Sequence, residues 1–267
     1  MRSPIERILK ETLRKAQTEI VFASLFGSYR RGDYDAFSDI DVFVVYDDED
    51  EKPIISHRLK CLEYTLNRKV HMNLFNLREF ETRLKFHDYL TASIIEDSSF
   101  ILGRKDIFDE AKQNLLEERP YEESIRFNRK MGFKTIRHIC SYLSDLSLSS
   151  SRHYKSLLDR VIKGLNDYRL ALGYIYAGTQ MRSSDRGISS ISLAKTGIGS
   201  TLKEIAYIEK VLKRRSKINY LVLRKLADDI KVKSAKILSL NQDSTGRMIS
   251  FINSYHVEPL LRLSKAD

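Results

Sequence analysis

Apolar residues recur along this chain in two rhythms. EIVFASLFGS from Glu19, DIDVFVVY over 39–46, KVHMNLFN over 69–76 and SSFILG over 98–103 are short runs rich in β-branched and aromatic residues. Such runs, closed by turn residues, predict strands. The near-continuous apolar end of DIDVFVVY predicts a strand buried on both faces. Between them the spacing lengthens to that of a helix, as with Ile55, Leu59, Leu62 and Leu66 within 54–67, and again in LREFETRLKF over 77–86 and KDIFDEAKQNLL over 105–116. Ser3-Pro4 reads as a helix start continuing through Ala16, and DDEDEKP over 47–53 as a solvated loop. From Tyr121 onward strand patterns stop. SIRFNRKMGFKTIRHICSYLSDL, HYKSLLDRVIKGLNDYRLALGYIYAG, TLKEIAYIEKVLKRR, NYLVLRKLADDIKVKSAKIL and TGRMISFINSYHVEPLLRL carry helical spacing, interrupted by RSSDRGISSISLAKTGIGS over 182–200. The prediction is an α+β protein. A small mixed-sheet domain over 1–118 precedes an all-α bundle of four to six helices over 119–267.

Charge sharpens that division. Residues 1–118 hold 18 Lys and Arg against 23 Asp and Glu, whereas 119–267 hold 28 against 13. An acidic first part and a basic second part point to a polyanion facing the second. Arg126, Lys130, Lys134 and Arg137 fall along one helix face, and KVLKRRSK over 210–217 is the densest basic run. Tyrosines interleave these runs, and base stacking on tyrosine beside phosphate contacts is how proteins hold single-stranded RNA. No stretch approaches the ~18 apolar residues of a membrane span. The N-terminal MRSPIERILKETLRKA is charged throughout and lacks the apolar core of a secretion signal, so a cytoplasmic protein with no membrane partner is expected. Cys61 and Cys140 are the only cysteines and read as small buried hydrophobes, and the six histidines show no metal-ligand spacing.

The chemistry concentrates in LFGSYRRGDYDAFSDIDVFVV, Leu25 to Val45. Gly27-Ser28 closes the first strand and Asp39 and Asp41 open the second. Residues two apart on a strand share a face, so the two carboxylates project side by side at one end of a sheet. Two such charges require a cation, and a hard divalent ion with oxygen ligands, Mg²⁺ or Mn²⁺, is the natural partner. Gly27 lets the backbone approach a bound group, and Ser28 offers a hydroxyl to an anion. A phosphate cradle beside a carboxylate-held Mg²⁺ is the minimum apparatus for nucleotidyl transfer.

Gly27-Ser28, Gly32 and Ser38-Asp39-x-Asp41 resemble the signature of the DNA polymerase β-like nucleotidyltransferase superfamily. The nearest likeness is to its minimal, aminoglycoside-modifying and archaeal CCA-adding branches, and it covers roughly the first 110 residues. The resemblance implies that Gly27 and Ser28 hold the β- and γ-phosphates of a nucleoside triphosphate, ATP by preference. Ser38 belongs to the same nucleotide-binding signature. Asp39 and Asp41 would bind Mg²⁺ while an acceptor hydroxyl attacks the α-phosphate. Arg30 and Arg31 stand just past Gly-Ser, where they would add charge at the phosphates.

The family carries a third carboxylate on the next strand. In KVHMNLFN the matching position is His71, with Asn73 as the second choice, and neither is acidic; His71 is a candidate neutral base or ligand. A basic second domain suits a polyanionic acceptor such as tRNA better than a cationic sugar. Two alternatives stay open: a catalytically degenerate nucleotide- or RNA-binding regulatory protein, and a small-molecule nucleotidyltransferase of the aminoglycoside type. Helical HEPN ribonuclease domains, which accompany minimal nucleotidyltransferases, carry Arg, four to six residues, then His; no histidine here has Arg at that offset. The amphipathic helices of the second domain offer a surface for self-association.

Overall fold

The computed structural model describes residues 4–16, 19–117, 122–144, 154–180, 198–214 and 218–240. The chain divides into two units, Met1–Arg119 and Pro120–Asp267. The first contains α1 (Pro4–Arg14), β1 (Ile20–Phe26), α2 (Gly27–Arg31), β2 (Ile40–Tyr46) and α3 (Glu51–Leu66). It continues with β3 (Val70–Asn76), α4 (Leu77–Lys85), α5 (Tyr89–Glu96), β4 (Ser99–Gly103) and α6 (Lys105–Glu117). The four strands form one mixed sheet in the order β3-β2-β1-β4. β1 runs antiparallel to both neighbours, and β2 pairs with β3 in parallel.

Helices cover both faces, which is why the strands read as unbroken apolar runs. On one face Leu25, Ile40, Val42 and Val44 meet Leu9 and Leu13 of α1 and Ile55 and Leu59 of α3. On the other, Phe22, Phe43 and Val45 meet Phe80 of α4, Ile94 and Ile95 of α5, and Phe108 of α6. Phe22 sits at the centre of that second core. Its ring makes edge-on contacts with Phe43, Phe80 and Phe108 at centroid distances of 5.8, 5.2 and 5.5 Å. Such pairs add about 0.5–1.5 kcal/mol each beyond area burial.

Two expectations are corrected, and one helix was not foreseen. The acidic stretch 47–53 is not wholly a loop, because Glu51 opens α3. Its carboxylate accepts the N–H groups of Asp47 and Asp48 at 3.3 and 3.4 Å, and that of Glu19. The Glu51 carboxylate thus ties the backbone ahead of α3 to the helix start, and Pro53 is tolerated within the first turn. Next, YLTASIIE forms α5, a helix that the spacing did not announce. Asp88 caps it, accepting the Thr91 N–H at 2.9 Å and the Thr91 hydroxyl at 2.7 Å. Finally, Cys61 is exposed on α3 rather than buried. Cys140 is half-buried, and that burial pushes its thiol pKa up.

The second unit contains α7 (Glu122–Ser144), α8 (Tyr154–Gln180), α9 (Ile198–Arg214) and α10 (Tyr220–Ser239). α8 packs against the other three, and α10 also packs on α7. Ile136, Ile139, Val161, Leu165, Ile175, Leu223 and Ile230 are buried in this bundle. α7 and α8 cross closely because two glycines face the partner helix: a Cβ at Gly132 would meet Ile175 at 2.6 Å, and one at Gly178 the Arg129 backbone at 2.5 Å. The expected last helix at 245–263, the 182–197 part of the break and the cap at Ser3 lie outside the described residues. Among the described residues no helix is long and apolar enough to cross a membrane.

Candidate active site

Sheet register assembles the site. Asp41 is paired with Phe26 of β1 on one side and with His71 of β3 on the other. Ile40 is fully buried against α1 and α3, so strand alternation turns Asp41 to the opposite face, where its side chain is partly exposed. Asp39 stands on the other side of Ile40, one residue before β2, and the Ile40 N–H donating to the Lys69 carbonyl at 2.8 Å anchors this step. His71 Nδ1 lies 3.1 Å from Asp41 Oδ1, with half of the imidazole exposed. The structure therefore brings Asp41 and His71 into direct contact.

Gly27 serves this arrangement through its missing side chain. Its φ is +74°, and a Cβ there would lie 2.2 Å from Asp41 Oδ2. The position needs both the left-handed backbone and the empty space. α2 then turns once and ends at Gly32, whose φ is +79° and whose N–H donates to the Ser28 carbonyl at 2.9 Å. Ser38 closes the following loop. Its hydroxyl accepts the Asp35 N–H at 2.9 Å and donates to Asp35 Oδ1 at 3.2 Å, and Phe37 N–H donates to that same oxygen. Arg68 donates to the Asp35 and Ala36 carbonyls. Ser38 thus holds the approach to Asp39 in shape. Tyr29 and Tyr34 stack in parallel across the loop at 4.3 Å.

Arg30 and Arg31 are held by a residue the motif did not point to. Arg31 Nη1 donates to Asp97 Oδ2 at 2.5 Å, Arg30 Nη1 lies 3.5 Å from Asp97 Oδ1, and the Gly27 N–H donates to Asp97 Oδ2 at 3.0 Å. Asp97 sits between α5 and β4, and its side chain is 11% exposed. The signal for it was the pairing of Leu25 with Ser99, which carries position 97 alongside Gly27. That pairing becomes visible only once β4 is known to flank β1. Nearby, burial holds the Lys112 ammonium below the ordinary lysine range, with the charge of Arg30 acting in the same direction.

Among the described residues no group of three or more His, Cys, Asp or Glu is gathered to enclose a metal. Mg²⁺ does not require one: it keeps several waters and is bound by one or two carboxylates together with substrate phosphates. Asp39 and Asp41, with the space beside Asp41 that Gly27 leaves open, fit that pattern. In the second unit Arg126, Lys130, Lys134 and Arg137 are exposed along α7. Arg126 pairs with Glu122 at 2.7 Å, and Lys213 and Lys233 each pair with the acid four residues before them.

A family model described as the nucleotidyltransferase domain matches residues 5–136. No curated protein matches the chain. Among solved structures, a toxin–antitoxin crystallised with AMP-PNP is 20% identical, covering 41% of this chain and 83% of its own, with a TM-score of 0.33. A mutant form of the toxin–antitoxin MntA-HpeT is 18% identical over the same shares, also with a TM-score of 0.33.

Proposed function

We propose, from a chain that belongs through residues 5–136 to the nucleotidyltransferase domain family, that this protein transfers a nucleoside monophosphate from ATP to a hydroxyl of RNA, tRNA being the fitting class. The observation that carries this reading is the contact set of Gly27, Asp41 and His71 at one end of the sheet. Asp39 and Asp41 would hold Mg²⁺, which when bound neutralises charge on the triphosphate.

The chain's own residues divide the remaining work. Gly27 keeps its Cα face clear for Asp41. Ser28 offers its hydroxyl to the phosphates, and Arg31 and Arg30 offer guanidinium N–H groups. With Nδ1–H donated to Asp41, His71 carries its lone pair on Nε2. That nitrogen takes the proton of the acceptor hydroxyl as its oxygen bonds to the α-phosphorus. The bond from the α-phosphorus to the bridging oxygen breaks, and pyrophosphate leaves with the electron pair. The basic, largely exposed face of α7 supports a polyanionic acceptor.

The test is a labelling assay with each α-labelled NTP, Mg²⁺ or Mn²⁺, and total cellular RNA. Asp39→Ala/Asp41→Ala should lower label on RNA by at least about a hundredfold, and rising salt should weaken RNA binding steeply. His71 in place of a third carboxylate favours a second reading, a nucleotide- or RNA-binding protein without turnover. RNA binding with no label under any condition would establish that reading and remove the first.

A further inference from the structure

We propose that Asp97 is a positioning residue for the incoming nucleotide, orienting Arg31 and tying down the Gly27 amide so that the remaining N–H groups of Arg31 face the phosphates. The inference rests on nucleotide binding as proposed above.

A carboxylate with 11% of its side chain exposed is stable only when donors surround it. Here the donors come from the turn after β1: the Gly27 N–H, Arg31 and, more distantly, Arg30. The acceptor itself is fixed. The Asp97 N–H donates to the Ser93 carbonyl at 3.3 Å. The adjacent Ser98 hydroxyl donates to the Ile94 carbonyl at 2.6 Å and accepts from Ser24, and the Ser98 carbonyl accepts from Lys112 at 2.9 Å. Asp97 is therefore pinned through α5, β1 and α6.

The held group has a defined orientation. Arg31 contacts Asp97 through Nη1 and Asp33 through Nε at 3.4 Å. A guanidinium is planar with five N–H donors, so two carboxylates bound at Nε and at Nη1, on either side of Nη2, fix the plane in which the Nη2 donors lie. A lysine at position 31 would keep the charge and lose that orientation. The Gly27 bond extends the effect, because Gly27 is the residue whose missing Cβ admits Asp41 Oδ2. One carboxylate thus holds both the arginine proposed for the phosphates and the backbone against which Asp41 rests.

The experiment measures binding of a non-hydrolysable ATP analogue with Mg²⁺ by calorimetry, and KM against kcat for transfer, in Asp97→Asn, Arg31→Gln and the double variant. Asparagine keeps an oxygen for the Gly27 amide and removes the charge that holds Arg31. Asp97→Asn should weaken the analogue by about tenfold and raise KM for ATP equally, with kcat within about twofold of wild type. It should add little on top of Arg31→Gln, because the two act through one group. Equal or tighter binding by Asp97→Asn, or full additivity in the double variant, overturns the inference while wild-type binding leaves the proposed function standing. Wild-type protein that binds no analogue overturns both. If Asp97→Asn does not fold, Arg31→Lys carries the test: it should weaken the analogue nearly as much as Arg31→Gln, and full retention of binding overturns the inference.

Discussion

Gly27→Ala separates the two demands placed on that residue, and Gly32→Ala supplies the comparison. Both glycines have positive φ, +74° and +79°. Forcing an L side chain into that region costs roughly 1–2 kcal/mol, while the less flexible unfolded chain returns about 0.4–1 kcal/mol. Gly32 has nothing within 4 Å of its would-be Cβ, so Gly32→Ala should lose about 1 kcal/mol of stability and little else. At Gly27 the new Cβ would lie 2.2 Å from Asp41 Oδ2, against an ordinary contact of at least 3.4 Å. The carboxylate must therefore move by about 1 Å or more, and the bond to His71 goes with it. A hydrogen bond to a charged group is worth about 1.5–3 kcal/mol when sheltered; with half the imidazole exposed the smaller end applies, which brings Gly27→Ala to about 2–3 kcal/mol. Activity should fall much further, because a displacement of about 1 Å at a reacting centre costs roughly a hundredfold. Urea unfolding gives the first quantity and initial rates of NTP-dependent labelling give the second. If Gly27→Ala retains transfer within about threefold of Gly32→Ala, the space beside Asp41 is not what Gly27 protects and the reasoning fails.

Two further outcomes follow from the surroundings. Burial, then the charge of Glu49, pushes the Tyr46 phenol up to about 12, and its hydroxyl donates to Glu49 at 3.2 Å. The folded state holds this proton more tightly than the unfolded chain, so the contribution is whole below pH 10 and is lost as pH rises toward 12; Tyr46→Phe should flatten stability measured by urea unfolding across that window, and an unchanged slope would exclude Tyr46 as its source. In the second unit, Gly178→Ala places a Cβ 2.5 Å from the Arg129 backbone nitrogen. Helix propensity favours alanine by about 1 kcal/mol, but backbone cannot swing aside as a side chain does, so the variant should be less stable by about 1–3 kcal/mol; equal or higher stability by denaturant unfolding would mean that α7 and α8 part at no cost.

What the sequence disclosed depends on how far each interaction reaches. The strands β1, β2 and β3 were legible because an apolar run is its own signal, and Asp39 and Asp41 because alternation alone puts them on one face. His71 was reached through the resemblance, as the position of the family's third carboxylate, and the parallel register of β2 and β3 sets it beside Asp41. Asp97 had no such cue. It lies in no strand, and its bond to Gly27 spans 70 residues. It depends on β4 returning to the far side of β1, an order that no local pattern states. For Arg30 and Arg31 the same gap applies, since their charge was visible and its counter-charge, Asp97, was not. The acidic stretch failed differently. Repulsion among Asp47, Asp48, Glu49, Asp50 and Glu51 argues for a solvated loop, but in the structure Glu51 opens α3 and its carboxylate collects three backbone N–H groups from the segments before it. The motif therefore marks where the carboxylates stand, while the residues that orient their neighbours come from the sheet order, and substitutions at Asp97 and Gly27 test the second kind of information independently of the first.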